Sequence, residues 1–319
     1  MTQGPDLAAM FGATSTEAFL GLPSAEDLAA LEARIAILGV PCATPYRSVG
    51  AYCAGAPRAI RDAIAGYAAN LHHVDFDVGG PIFPNTITAV DGGDLACTEA
   101  DPAANRAAIR QAVATVIARG ATPIVIGGDD SVPIPVFEAF HDRGPLTVVQ
   151  IDAHIDWREE VAGERFGLSS TMRRASEMAH VERIVQVGQR GIGSARPGDL
   201  ADAKAWGVIF VPAEAVHEHG IAPVLDAVPA GSQILVTLDC DGLDPAIMPG
   251  VIAPAPGGLT YWQTIRLLRG IAAKARIAAF DLVEFVPERD VAGLGALTAA
   301  RIIVNILGLV ARQVAPVPD

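Results

Sequence analysis

The chain has 319 residues, of which 51% are apolar and 18% charged, and its net charge is −13. This composition provides for a large core and excludes global disorder. The acidic balance argues against a nucleic acid or an anionic membrane surface as partner and suits a small cationic substrate. No apolar run reaches the roughly 18 residues of a membrane span. The start, Met1-Thr2-Gln3-Gly4-Pro5-Asp6, lacks the basic residues of a signal peptide. Cys42, Cys53, Cys97 and Cys240 show no CxxC spacing and read as free thiols in a reducing cytoplasm.

In chain order, residues 1–32 read as an N-terminal extension with a helical stretch around 25–33. Short β-branched runs then recur at 34–40, 86–90, 122–126, 146–151, 183–187, 208–211, 233–238 and 276–282. Alanine-rich helical patterns lie between several of them, at 103–119, 132–143, 222–228 and 261–273, and a helix over 298–314 closes the chain. Strands alternating with helices predict parallel βαβ units. The expected fold is α/β, a three-layer αβα sandwich with an eight-stranded parallel sheet, in one domain over 33–319.

Three strand ends carry acidic residues. The run 146–151 passes into Asp152-Ala153-His154-Ile155-Asp156, where Asp152 and His154 share a face of extended chain and Asp156 can curl back toward them. Open α/β sheets place their sites there, beyond the carboxyl ends of strands. The run 235–238 ends in Asp239-Cys240-Asp241-Gly242-Leu243-Asp244-Pro245, and the run 124–126 in Gly127-Gly128-Asp129-Asp130-Ser131. An Asp after a strand is often a cap or turn residue, a reading that suits Asp129 and Asp244. Three such clusters meeting would repel one another unless cations neutralised them. Carboxylates with one imidazole suit a divalent metal such as Mn²⁺, and shared carboxylates hold metals about 3.5–4 Å apart to activate a water.

These residues resemble the ureohydrolase family of arginases, agmatinases and guanidinobutyrases. The three acidic segments carry the resemblance with Asp281-Leu282-Val283-Glu284, Gly55-Ala56-Pro57-Arg58-Ala59-Ile60-Arg61 and Asp91-Gly92-Gly93-Asp94, and it spans about 35 to 310. It implies one metal on Asp130, Asp152, Asp156 and Asp239 and another on His154, Asp152, Asp239 and Asp241. Mn²⁺ is the first choice, with Ni²⁺ or Co²⁺ as others. A hydroxide bridging the pair would attack a guanidinium carbon, with Asp156 relaying its proton and Glu284 holding the cation. Urea and an amine would leave. Trimers or hexamers are the implied assembly.

The chain departs from the family pattern at two places. Asp130 stands where the family carries His, giving five ligand carboxylates against the four positive charges of two divalent ions; this predicts altered metal preference or a higher pH optimum. Leu168 stands at the place of a family His that shuttles protons. Trp157-Arg158-Glu159-Glu160 occupies the region where arginases grip an α-amino acid, so arginine is not the expected substrate. Arg158 would suit a carboxylate tail, Glu159 and Glu160 an amine. Agmatine, 4-guanidinobutyrate and small substituted guanidines remain as candidates. Two other readings stand beside the hydrolase: a weakly active subunit of a hetero-oligomer with a paralogue, as in metformin hydrolase, and a formimidoylglutamase-like enzyme.

Overall fold

In the computed structural model, which describes residues 17–84 and 88–313, the β-branched runs form the eight expected strands. They are β1 (Ile35–Gly39), β2 (Ala89–Asp94), β3 (Thr122–Ile126), β4 (Leu146–Ile151), β5 (Val181–Val187), β6 (Ile209–Val211), β7 (Gln233–Asp239) and β8 (Arg276–Val283). All neighbours pair in parallel, in the order β2-β1-β3-β8-β7-β4-β5-β6. The helices among the described residues are α1 (Ala56–Ala65), α2 (Pro102–Ala118), α3 (Pro133–Glu138), α4 (Thr171–Ser176), α5 (Pro197–Trp206), α6 (Ala213–His219), α7 (Ala222–Ala227), α8 (Tyr261–Lys274) and α9 (Leu294–Gln313).

Successive strand residues point to opposite faces, and a sheet covered on both sides needs apolar residues at every position. Ile35 and Ile37 accordingly join one core with Ile124, Ile126, Val149 and Ile151, beneath α1 and α6 to α9. Ala36 and Leu38 join a second core with Val125, Val148 and Leu235, beneath α2 to α5. The result is the predicted three-layer sandwich. Helix α9 is long and apolar enough to cross a membrane by length and composition, unlike any run expected from the sequence, but 78% of its most apolar window is buried. It packs on α1, α8 and β8 as a core helix.

Several boundaries differ from expectation. The helix around 25–33 is only a single 3-10 turn, Leu28–Ala30, capped by Asp27. The chain there prefers the sheet edge: Ala25 N donates to Asp91 O at 2.9 Å and Asp91 N to Pro23 O at 2.9 Å. Phe19, Leu20 and Leu22 are buried in the first core. The helix expected over 132–143 stops at Glu138, and the bonds from His141 N to Glu138 O and Arg143 N to Phe140 O wind on as tighter turns. Strand β2 extends through Asp94; the start expected at Thr86 and the helix end expected at Val314 lie outside the described residues. Helices α1, α4, α5 and α6 were not anticipated; they are 10, 6, 10 and 7 residues long, and only α1 has a pronounced apolar stripe, Ile60 and Ile64, behind its Pro57 start.

One ion-pair fork holds the β2 edge. Arg61 of α1 donates through Nε to Asp91 Oδ2 at 2.8 Å, through Nη2 to Asp91 Oδ1 at 2.9 Å and through Nη1 to Asp94 Oδ1 at 2.5 Å. The Arg61 and Asp91 side chains are 5% and 2% exposed, whereas Asp94 is 41% exposed. Removing the arginine strands a buried carboxylate, so Arg61→Met should cost about 3–5 kcal/mol in urea unfolding. Asp94→Asn should cost far less, and equal costs would refute the assignment of this fork as the edge clamp.

Candidate functional site

The acidic segments leave β3, β8, β7 and β4, four adjacent strands at the centre of the sheet, at their carboxyl ends. Gly127 N donates to Leu282 O and Glu284 N to Gly128 O, each at 2.8 Å, lacing the end of β3 to that of β8. A Cβ on Gly128 would stand 2.2 Å from Pro41 O, so only glycine lets the loop pass there. Asp129 then closes a turn, its Oδ1 accepting from Ser131 N at 2.9 Å and from the Ser131 hydroxyl. Asp244 is also a turn residue, accepting from Ala246 N and Gly257 N, each at 2.9 Å. Both fit the structural role that the sequence suggested for them.

The remaining acids converge. His154 N donates to Asp152 Oδ1 at 2.6 Å, Ala153 N to Asp241 Oδ1 at 3.1 Å, and Asp241 N to Asp239 Oδ1 at 2.7 Å. The His154 ring places Nδ1 3.0 Å from Asp241 Oδ2 and 3.4 Å from Asp152 Oδ1. Two groups of potential ligands result, Asp130 with Asp152 and Asp156, and Asp152 with His154 and Asp241, the ligand atoms of each lying within 4.8 Å of one another. Asp152 belongs to both. Asp239 belongs to neither, yet it lines the same cavity.

The electrostatics call for cations. Burial, followed by the charges of Asp156 and Asp152, holds the Asp130 carboxyl well above the usual carboxylate range. Burial and neighbouring aspartates do the same to Asp152 and Asp239. Burial works against a charged His154, but bonds to Asp152 and Asp241 outweigh it and push the group up to about 11. Both Asp130 oxygens are buried without a hydrogen-bond partner among the described residues. A buried carboxylate with neither donor nor counter-ion is costly, and a metal ion would supply what is missing. The donor set of carboxylate oxygens and one imidazole fits hard or borderline divalent ions.

Glu284, 4% exposed, adjoins this cluster. The Tyr52 hydroxyl lies 2.7 and 2.8 Å from its two oxygens and shares its one proton between them, and Asp130 N donates to its Oε1 at 2.8 Å. Burial and the charge of Asp129 raise the Glu284 carboxyl to about 8. Asp156 and Glu284 have φ of +42° and +66°, in the left-handed region that non-glycine residues avoid. Gln150 supports the floor, its Nε2 donating to Asp152 Oδ2 at 2.6 Å and Asp156 Oδ2 at 2.7 Å. Gln186 in turn donates to Gln150 Oε1 and to Ile155 O. Sequence reasoning missed Tyr52, Gln150 and Gln186. For Gln150 a signal existed, because it lies two residues before Asp152 and so shares its face; nothing local marks Tyr52.

A cavity of 220 Å³ opens over the cluster, lined by Asp130, His154, Asp156, Asp239, Asp241 and Glu284 at its acidic side and by Arg158, Leu168, Trp157 and Asp199 elsewhere. Asp130, His154, Asp156, Arg158, Leu168, Asp239, Asp241 and Glu284, all singled out from sequence, meet here, with Asp152 lying fully buried beneath. Glu159 and Glu160 do not. Glu159 pairs with Arg165, Arg173 and Arg174 at 2.7, 3.1 and 3.3 Å, and Glu160 is exposed outside the lining. If repulsion dominates the metal-free site, Asp130→Asn raises the melting temperature of chelator-treated protein, by about 2–4 °C. The same change shrinks the rise produced by added Mn²⁺; a variant that melts lower in chelator and gains as much from Mn²⁺ would sink the cation-site reading.

The chain resembles known proteins over this whole framework. The model of the arginase family matches residues 33–308. The guanidinopropionase of Pseudomonas aeruginosa is 32% identical over 306 residues, 93% of this chain and 92% of that protein. The mitochondrial agmatinase of Gallus gallus is 32% identical over 205 residues, a match spanning 62% of this chain and 60% of that protein. Among solved structures, the proclavaminate amidino hydrolase from Streptomyces clavuligerus superposes with a TM-score of 0.81 at 28% identity, covering 94% of this chain and 98% of its own. Fold, acidic strand ends and sequence agree that the chain belongs to the arginase family of ureohydrolases.

Proposed function

We propose that the chain hydrolyses a C–N bond of a guanidino compound to urea and an amine, at a site built for two divalent cations, Mn²⁺ being the best fit. The observation that carries this reading is the pair of ligand groups that share Asp152, beside the buried carboxylate of Glu284. Asp130, Asp156 and Asp239 would hold one ion with Asp152; His154, Asp241 and Asp239 would hold the other with the same Asp152. When bound, such a pair would offset four of the five ligand charges and lower the pKa of a water.

The protein groups would do the rest. Glu284, steadied by Tyr52 and the Asp130 amide, takes the guanidinium in a charge-assisted pair and sets its carbon over the acidic floor. Gln150 fixes Asp156 through Oδ2, leaving the other carboxylate oxygen to accept a proton from the attacking water. A C–O bond forms, the C–N bond breaks, and Asp156 returns that proton to the departing nitrogen. Leu168 walls the cavity and carries no proton, so the relay rests on Asp156.

The test is a urea-release screen of a guanidine panel with Mn²⁺, Ni²⁺ or Co²⁺, alongside elemental analysis. Urea release with about two metal ions per chain is the expected outcome; no urea from any guanidine with any metal would overturn the reading. Glu284→Gln should lower kcat/KM about 100-fold and Tyr52→Phe about 10-fold, with metal content kept. Metal uptake should also release protons, because His154 sits near 11 without metal and must lose its proton to ligate. Apparent affinity therefore rises with pH. Calorimetry at pH 7 in buffers of different ionisation enthalpy should report this release, and heats independent of buffer would contradict it.

A further inference from the structure

Apart from His154 in the ligand cluster, Arg158 is the one cationic residue that lines the cavity among the described residues. Arg158 follows Asp156 by two residues, and its backbone is pinned by the bond from its N to Ser169 O at 2.9 Å. Its side chain, 27% exposed, has one ion-pair partner among the described residues, Asp199, with Nε 3.7 Å from Oδ2. That distance is beyond hydrogen-bond range. Neither Nη atom has a hydrogen-bond partner among the described residues. A guanidinium fork with its outer donors unused is a bidentate receptor for a carboxylate.

Asp199 is differently placed. It lies in the first turn of α5, a ten-residue helix, where the exposed N–H groups and the helix dipole favour negative charge without help from Arg158. An ammonium tail reaching Asp199 would have to sit against Arg158 and be repelled by it. The other acids of this loop, Glu159 and Glu160, are not in the lining. A cavity acidic at one side and offering one open arginine fork suits a substrate with a cation at one end and a carboxylate at the other.

We propose that Arg158 is the specificity-determining residue and selects guanidino acids of zero net charge over guanidines with an amine tail, Asp199 standing in for the substrate carboxylate until it arrives. This rests on the preceding reading for the guanidinium end only. Binding of the carboxylate then exchanges one partner of Arg158 for a better aligned one, and Asp199 is left to its helix.

The experiment is calorimetry of the Mn²⁺-loaded full chain with 3-guanidinopropionate, 4-guanidinobutyrate and agmatine, run beside urea release for the same three. The acids should bind about 10-fold or more tighter than agmatine. Arg158→Gln should raise Kd and KM for the acids by about 10- to 100-fold while leaving agmatine little changed or improved. Asp199→Asn should tighten the acids, because it removes their competitor. A merely structural arginine would weaken all three ligands together, and that result overturns the proposal. So does agmatine binding as tightly as the acids, or no binding by any of them. If no guanidine yields urea, the hydrolase reading fails, and the ratio of acid to amine binding still decides this one.

Discussion

Everything in this protein is arranged around a crowd of like charges that folding brings together. Asp130, Asp152, Asp156, Asp239 and Asp241 reach one place from three strands, with a single imidazole among them. The apolar layers on both sides of the sheet stabilise the assembly against that repulsion, as the two continuous cores allow. Burial and mutual repulsion push the Asp130 and Asp152 carboxyls up, and bonds to Asp152 and Asp241 push His154 up to about 11. Such a site is a poor structural element and a good receptor for cations.

The surrounding backbone and amides keep the acids where they repel one another. Amide donors aim at Asp152, Asp239 and Asp241 from the chain itself. Gln150 grips two carboxylates at once, and Gln186 braces it. The left-handed backbone at Asp156 and Glu284 is a further cost, borne at two of the residues assigned to chemistry. Tyr52 binds Glu284 from a loop 232 residues earlier in the chain. Pre-set geometry of this kind is what a transition state needs, since little remains to be reorganised when substrate arrives.

Legibility in the sequence followed range. The strands were visible because an interior parallel strand must be apolar at each position, and β3, β4 and β7 are short runs of that kind ending in acids. The ligands were visible because they lie within a few residues of those ends. The short helices α4 and α6 were not, since 6 or 7 residues carry too little periodic pattern. The turn at Leu28–Ala30 departs from the expected helix because alanine-rich composition favours helix while the sheet edge offers Asp91 as a better partner. Tyr52, Asp199 and Gln186 belong to the site only through the fold, and no spacing announces them.

The position of β8 has a consequence for how the molecule is made. It is the last strand of the chain and yet lies in the middle of the sheet, between β3 and β7. A chain emerging from its N-terminus can assemble β1, β2 and β3 on one side and β4, β5 and β6 on the other, but the seam between them stays open until residues 233–283 appear. Two apolar strand edges face each other across that gap, the kind of surface that pairs with the wrong neighbour. Glu284 comes directly after the closing strand. A chain that stops before residue 233 lacks Asp239 and Asp241, and one that stops before residue 276 lacks β8 and Glu284, so the site is whole only once the central seam has closed.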